Sequence, residues 1–340
     1  MAALAITFYF AFVRGSAIAA IVFGISKSLM VIQSTHACSH YSFSIYPKLN
    51  RFVYWLNMSI AGDTPAQWTA KHVIAHHIDT NITPEDDDTM YPLKRVLPGL
   101  PRCWWHSYQH LYIWILYFFV FLPWTVSHNI KVIFGLIYGK MFEGVAELLL
   151  IRRDIICKNL DLFVCLLKLQ CLENQVRHNG AFDWTETLSC IMIHHITRLA
   201  PFFFVDTWFG AIFVVLMTEL SSSMWFSLQF AVNHEIAEAT LFSDLSTKVH
   251  SQNRDWGEHQ LLTSHNYSID FSPSLYLSGG LNYQIEHHLF PSIHYKYYPD
   301  LSKIVQQTAK EFNLPYNSSV TFLEGIGRHY QLLKEMGSKD

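Results

Sequence analysis

The sequence predicts an all-α integral membrane protein, with about three to four transmembrane helices carrying a cytosolic helical cap that holds a two-metal site. Three observations lead there. Hydrophobic residues make up 51% of the 340 residues and charged residues only 15%, where a soluble domain carries roughly 25% charged. Strongly apolar segments alternate with long polar ones, and a mean hydropathy of only +0.16 requires much of the chain to lie outside lipid. Nineteen histidines are far more than packing needs, and several gather in pairs or at helical spacings where apolar segments end. The formal net charge of −3 gives no reason to invoke nucleic acid.

The first apolar stretch runs from Ala2 to about Gln33 and is interrupted at Arg14, Gly15 and Ser16. A helix needs roughly 20 apolar residues to cross a bilayer, so Ala17–Gln33 reads as one slightly short span and Ala2–Val13 as a partial one. No small-residue cleavage site follows, which argues against a signal peptide. Residues 34–103 are polar and mixed, and their acidic run Glu85-Asp86-Asp87-Asp88 reads as a solvated loop. A very aromatic stretch, Tyr108–Val126, precedes two amphipathic segments near 131–150 and 155–172. Two further spans are expected at 187–205 and 208–232, with Asp206 in the turn between them. From Asn233 the chain is polar and closes on helices near 299–312 and 319–336. No repeat, low-complexity tract or Gly/Ser linker divides it, so residues 1–340 read as a single domain. The six cysteines form no CxxC pair, which suits a reducing compartment.

Charge predicts the orientation. Lys plus Arg number 6 in residues 34–103, 7 in 129–186 and 8 in 233–340, with none in the turn around Asp206. Positive residues stay on the cytosolic side, so all three long polar segments are expected there. An even number of spans must then separate 34–103 from 233–340. The pair 187–205 and 208–232 satisfies this, and Tyr108–Val126 must dip into the membrane or lie along it.

Three histidine clusters carry the chemistry: His36-Ala-Cys-Ser-His40, His72-Val-Ile-Ala-His76-His77, and Gln284-Ile-Glu-His287-His288. On an α-helix, residues i and i+4 share a face. His36 and His40 are therefore expected at one site, as are His72 with His76 and Gln284 with His288. His77 and His287 stand about 100° round the helix, placed for a second metal. Imidazole suits Fe, Zn, Cu or Ni. Seven histidines exceed the four ligands of a structural zinc or the three of a catalytic one. A membrane scaffold then favours two iron ions that activate O2.

The remaining histidines divide on position. His234 ends the last span beside the clusters and is expected to ligate metal. His106-Ser-Tyr-Gln-His110 has the spacing of the first cluster but no adjacent third histidine, and reads as accidental. His194 and His195, inside a predicted span, read as packed neutral side chains. His259 and His265, ahead of the third cluster, read as supporting or exposed residues. His128, His178, His250, His294 and His329 carry no signal.

At these clusters the chain resembles the membrane fatty-acid desaturase family, whose three histidine boxes read HxxxH, Hxx(x)HH and [HQ]xxHH. The run Gln284-Ile-Glu-His-His-Leu-Phe-Pro291, together with Asn233-His234 and Asp255-Trp256 followed by Gln260, is most similar to the front-end acyl-lipid and sphingolipid desaturases. The likeness spans about residues 34–335. It implies that His36, His40, His72, His76, His77, His234, His287 and His288 hold two non-haem iron ions, with Gln284, Asn233 and His265 as weak ligands or residues behind the ligands.

The same resemblance implies a fatty-acyl substrate carried on CoA, phospholipid or a sphingoid base, and an endoplasmic-reticulum enzyme with its boxes facing the cytosol. O2 and two electrons, relayed by cytochrome b5 and its reductase, would place a double bond between an existing one and the carboxyl end.

Two departures stand out. The first box usually reads His-Asp-x-Gly-His, and here Ala37 and Ser39 replace Asp and Gly. No His-Pro-Gly-Gly haem motif of a fused cytochrome b5 domain is present, so either a separate cytochrome b5 is the donor or the N-terminus begins late. The alternatives to desaturation are a di-iron fatty-acyl or sphingoid-base hydroxylase, which shares the first hydrogen abstraction, and a non-enzymatic metal-binding membrane protein. The latter would place ligands inside the spans rather than at their ends.

Overall fold

The computed structural model describes residues 2–82, 86, 93–121, 184–240 and 255–338. Helix α1 (Ala2–Val13) turns at Gly15, φ +69°, into α2 (Ala17–Ser39). The Ser16 hydroxyl accepts from the Ala19 amide at 3.3 Å, satisfying one of the donors that every helix start leaves unpaired. Helix α3 (Pro47–Ala61) ends at Gly62, whose φ of +101° only glycine adopts cheaply. Helix α4 (residues 65–76) starts with Pro65 in its first turn and with the Thr64 hydroxyl accepting from the Gln67 amide at 3.3 Å. A 3₁₀ turn, Trp104–Tyr108, leads into α5 (Gln109–Tyr117).

Helices α6 (Trp184–Leu199) and α7 (Trp208–His234) are joined through a short helical turn, Pro201–Phe204. The rest is a set of short helices: α8 (Trp256–Leu262), α9 (Ser272–Leu277), α10 (Gln284–Leu289), then the longer α11 (Tyr298–Glu311) and α12 (Phe322–Ser338). Two-residue strands β1 (Asn266–Tyr267) and β2 (Ser318–Ser319) pair in parallel, Asn266 opposite Ser318.

Among the described residues, α2 and α7 are long and apolar enough to cross a membrane, with window hydropathies of 1.7 and 1.5. At 16 residues, α6 reaches spanning length only if the Pro201–Phe204 turn is counted with it. The aromatic stretch expected over Tyr108–Val126 is helical from Gln109 to Tyr117. The amphipathic segments expected near 131–150 and 155–172 lie outside the described residues, as do His128, His178 and His250.

Helices α2 and α7 run against each other, and small or hydroxylated residues let them close in. A Cβ on Gly24 would come within 2.1 Å of Ser221 Oγ and 2.2 Å of the Thr218 carbonyl. Thr218 Oγ1 donates to the Ala20 carbonyl at 3.2 Å, and Ser28 donates to the carbonyl of Ser222. Between helices in lipid such packing and hydrogen bonding replace the hydrophobic drive that operates in water. Phe12, Ala20, Phe23 and Val214 fill the seam beside α1.

A second core of Val96, Leu97, Ile113, Tyr117, Ala231, Leu332, Leu333 and Met336 fastens α12 and α5 to the C-terminal part of α7. Buried Gln109 stitches this core, donating to the carbonyls of Arg95 at 2.9 Å and Leu333 at 2.8 Å while accepting from the Arg95 amide at 2.8 Å.

Candidate metal centre

The last turn of α2, the end of α4, the last residue of α7 and the short helix α10 meet at one place, and eight histidines point into it. Ring nitrogens of His36, His40, His72, His77 and His287 all lie within 4.8 Å of one another, and those of His76, His234 and His288 form a second such group. The groups adjoin: the rings of His77 and His288 stack with centroids 4.3 Å apart. Within the larger group His36 Nε2 lies 2.8 Å from His72 Nε2, and His287 Nε2 lies 3.0 Å from His77 Nε2.

One sequence expectation is corrected by local helix geometry. His72 and His76 do not share a site: His72 joins the five-histidine group with His77, and His76 joins the other. Residues Thr69–His76 are π-helical. Their i→i+5 hydrogen bonding widens the turn and swings residue i+5 round towards the face of residue i. His76 and His77 then flank His72's direction on either side, so three histidines of one box serve two sites. The α-helical boxes behave as i,i+4 spacing implies: His36 and His40 fall together, and Gln284 and His288 lie on one side with His287 on the other.

Hydrogen bonds orient the smaller group. His76 Nδ1 is 2.9 Å from Asp86 Oδ2, His234 Nδ1 is 3.1 Å from the Thr263 carbonyl, and His288 Nδ1 is 2.7 Å from Gln260 Oε1. Each contact has an acceptor on Nδ1, which places the proton there and leaves the lone pair on Nε2. The Nε2 atoms of His40, His76 and His288 are buried with no hydrogen-bond partner. Buried polar atoms rarely go unpaired, and here they converge. Burial, and then the neighbouring imidazoles, hold His72, His77, His287 and His288 well below the usual imidazole pKa, and burial takes His40 down to about 3. Neutral imidazoles gathered around small volumes are a donor set that fits two metal cations.

The supporting residues also have definite places. Asn233 Nδ2 donates to Gln284 Oε1 at 3.1 Å, and Gln284 Nε2 lies 2.8 Å from His234 Nε2, so Gln284 sits against the smaller group. His265 is fully buried, but its Nδ1 is 2.9 Å from the Val232 carbonyl and its Nε2 is 2.9 Å from Ser319 Oγ. Both nitrogens are engaged, and it clamps the end of α7 to β2. His259 Nε2 contacts the Thr80 carbonyl at 2.9 Å.

His106 belongs to neither group: its Nδ1 accepts from the Cys103 amide at 2.9 Å, starting the 3₁₀ turn, while His110 packs on Tyr330. His194 is buried against Gly62, and His195 is exposed. His329 is buried beside Tyr117 and Glu235. Of the acidic run expected to be a solvated loop, Asp86 is instead 1% exposed and bonded to His76, and residues 85, 87 and 88 lie outside the described residues.

The sequence profile of fatty acid desaturases matches residues 13–151 and 160–320. The chain belongs to the fatty acid desaturase family. It is 27% identical over 321 residues, 93% of its length, to the chloroplastic acyl-lipid (7-3)-desaturase of Chlamydomonas reinhardtii, and spans 55% of that protein. It is 28% identical over 330 residues to acyl-lipid (8-3)-desaturase B of Dictyostelium discoideum, covering 94% of this chain and 63% of that one. To the sn-1 linoleoyl-lipid 6-desaturase of Arthrospira platensis it is 23% identical over 326 residues, covering 93% and 76%. The chain thus spans little more than half to two thirds of the length of the first two relatives.

The first box departs from the family pattern at two buried positions. Ala37 is buried, and Ser39 Oγ donates to the His36 carbonyl at 2.7 Å. The third desaturase box is braced from below: buried Glu286 accepts from Asn266 Nδ2 at 2.8 Å and from Tyr316 OH at 2.9 Å. A small cavity opens beside His36, His40 and His287, floored by Gly279 and Gly280 and bounded by Tyr295.

Proposed function

We propose that this desaturase-family chain inserts a double bond into a fatty-acyl chain with O2 and two electrons, between an existing double bond and the carboxyl end. The observation that carries the reading is the pair of adjoining, buried histidine groups at the ends of apolar helices. His36, His40, His72, His77 and His287 would hold one iron, and His76, His234 and His288, with Gln284 beside them, the other. Iron held there supplies the O2 activation that removal of hydrogen from an unactivated methylene requires.

The chain's own residues contribute orientation and exclusion. The contacts on Nδ1 of His76, His234 and His288 fix ring tautomer and direction. Burial of all eight histidines keeps bulk water from the centre. The apolar faces of α2 and α7 offer the acyl chain an approach through lipid. An acyl-lipid substrate is supported by the similarity to acyl-lipid desaturases of Chlamydomonas reinhardtii and Dictyostelium discoideum.

The charge pattern supports about three to four spans, built from α1, α2, α6 and α7, with a cytosolic cap. The family resemblance suggests an endoplasmic-reticulum setting, where a separate cytochrome b5 and its reductase would deliver the electrons.

Expression in yeast with cytochrome b5 and a panel of polyunsaturated fatty acids, followed by gas chromatography of the lipids, tests the reading. A new double bond on the carboxyl side of an existing one is expected. A hydroxy-acid product would reassign the chain as a hydroxylase, and absence of any new product would overturn the proposal.

A further inference from the structure

We propose that Asp86 is the positioning residue of the three-histidine site, supplying from a distant loop the carboxylate that the first box lacks. The proposal rests on the metal-centre reading above. Asp86 lies in an acidic run of three aspartates and a glutamate, yet it is 1% exposed. One oxygen, Oδ2, accepts from His76 Nδ1 at 2.9 Å and from the Asn81 amide at 2.9 Å. Among the described residues it is the one carboxylate hydrogen-bonded to a histidine of either group.

The loop it closes is itself anchored. Asn81 takes φ +61°, a left-handed conformation that asparagine tolerates better than most residues. From there its Nδ2 donates to the His234 carbonyl at 3.1 Å and to the Ala239 carbonyl at 3.2 Å. A single strap therefore holds two histidines of the group: His76 through its ring and His234 through its backbone. The third, His288, is held at Nδ1 by Gln260, with Thr80 Oγ1 3.3 Å away and also donating to Gln260 at 2.9 Å.

The two halves of the centre are consequently unlike. Each ligand of the smaller group has an oxygen acceptor behind it, and one of these is anionic. In the larger group, the tyrosine hydroxyl of Tyr298 lies 3.2 Å from His287 Nδ1, while His77 Nδ1 has no partner. A carboxylate behind an imidazole raises its basicity and fixes its direction, and removing such a partner typically costs 10–100-fold in metal affinity. The three-histidine site has fewer imidazoles, and the strap compensates for them.

The test uses full-length protein purified in detergent from an iron-replete host, as wild type, Asp86→Asn, Asp86→Glu and the surface control Asp300→Asn. Iron per chain, resistance to a ferrous chelator and the Mössbauer spectrum are measured, with thermal melts of the iron-free forms reporting the fold. Wild type and Asp300→Asn should hold two irons. Asp86→Asn, which keeps the shape and loses the charge, should release one iron roughly 10–100-fold more readily and lose or shift one quadrupole doublet, its iron-free melt unchanged. Asp86→Glu should retain the second iron better than Asp86→Asn.

Two irons held as tightly as in wild type, with an unchanged spectrum, would overturn the assignment. So would equal iron loss from the Asn and Glu variants with a lowered iron-free melt, which would make Asp86 a packing residue. Wild-type protein without bound iron would instead defeat the underlying metal-centre reading.

Discussion

HxxxH spacing occurs three times in this chain, at His36/His40, His72/His76 and His106/His110, and the last pair stands apart from the buried histidine groups. His36 and His40 meet His72, His77 and His287 of the other boxes in one buried group, whereas His106 accepts from the Cys103 amide at a helix start. His287→Ala is therefore expected to abolish product formation and lower bound iron. His106→Ala should leave activity intact and cost about 1 kcal/mol of stability, as loss of a helix cap does. Lipid profiles and thermal melts of the two variants check this, and equal loss of activity in both would remove the distinction.

The grouped histidines were legible because they cluster where apolar segments end, and spacing put His36 with His40, which the structure also places in one group. Spacing misassigned His72 because it presumes α-geometry, and the π-helical stretch is not written in any residue type of Thr69–His76. Asp86 was illegible for a different reason: four adjacent acids look solvated, and its burial depends on a contact with the amide of Asn81, which takes a left-handed turn that no acidic residue announces.

At the scale of elements, the third box owes its place to how closely the backbone before it passes its neighbours. Gly279 and Gly280 take φ of +60° and +87°. A Cβ on Gly279 would lie 2.5 Å from the Ile32 carbonyl in α2, and one on Gly280 would lie 2.3 Å from Tyr295 Cβ. Substituting Gly280→Ala combines left-handed strain of about 1–2 kcal/mol with overpacking of about 1–3 kcal/mol. It should displace Tyr295 and Tyr298, the latter against His287, so that the melting temperature and bound iron fall together.

Gly327 is the matched control, since a Cβ there meets nothing within 4 Å in the middle of α12. Gly327→Ala should raise stability by roughly 0.5–1 kcal/mol without touching iron. A Gly280→Ala protein with wild-type melting temperature and iron would show that the turn tolerates a side chain. The helices were readable from their periodicity, whereas these contacts join positions far apart in the chain and have no local signature.

For the whole molecule, the question is what holds the apolar helices in the register that brings the ends of α2 and α7 to the two adjoining histidine groups. Lys27 of α2 and Arg198 of α6 both meet Glu219 of α7, Nζ to Oε2 at 2.6 Å and Nη2 to Oε1 at 2.7 Å. Arg198 also donates to the Ile60 carbonyl of α3 at 3.2 Å, so four helices share one charged node. Lys27 stands nine residues before His36, about 13 Å along the axis at 1.5 Å per residue. A slip of one turn between α2 and α7 would break this node as well as separate the histidines.

Composition and charge suggested a membrane character, but nothing local in the sequence marks Lys27 as half of an ion pair, because its partner Glu219 lies 192 residues away. Charges so placed are costly unless paired, and breaking a buried pair from one side typically costs about 3–5 kcal/mol, whereas replacing all members by apolar residues is often neutral. Glu219→Leu should therefore unfold much of the detergent-purified protein and strip its iron, because two cations are stranded. The triple replacement Lys27→Met, Arg198→Met and Glu219→Leu should recover most of the folded fraction seen by size-exclusion chromatography. Its iron content then decides the role of the node: full iron means that packing at Gly24 sets the register unaided, and folded protein with little iron means that the charges set it. A Glu219→Leu protein as stable as wild type would show that the node carries no such load.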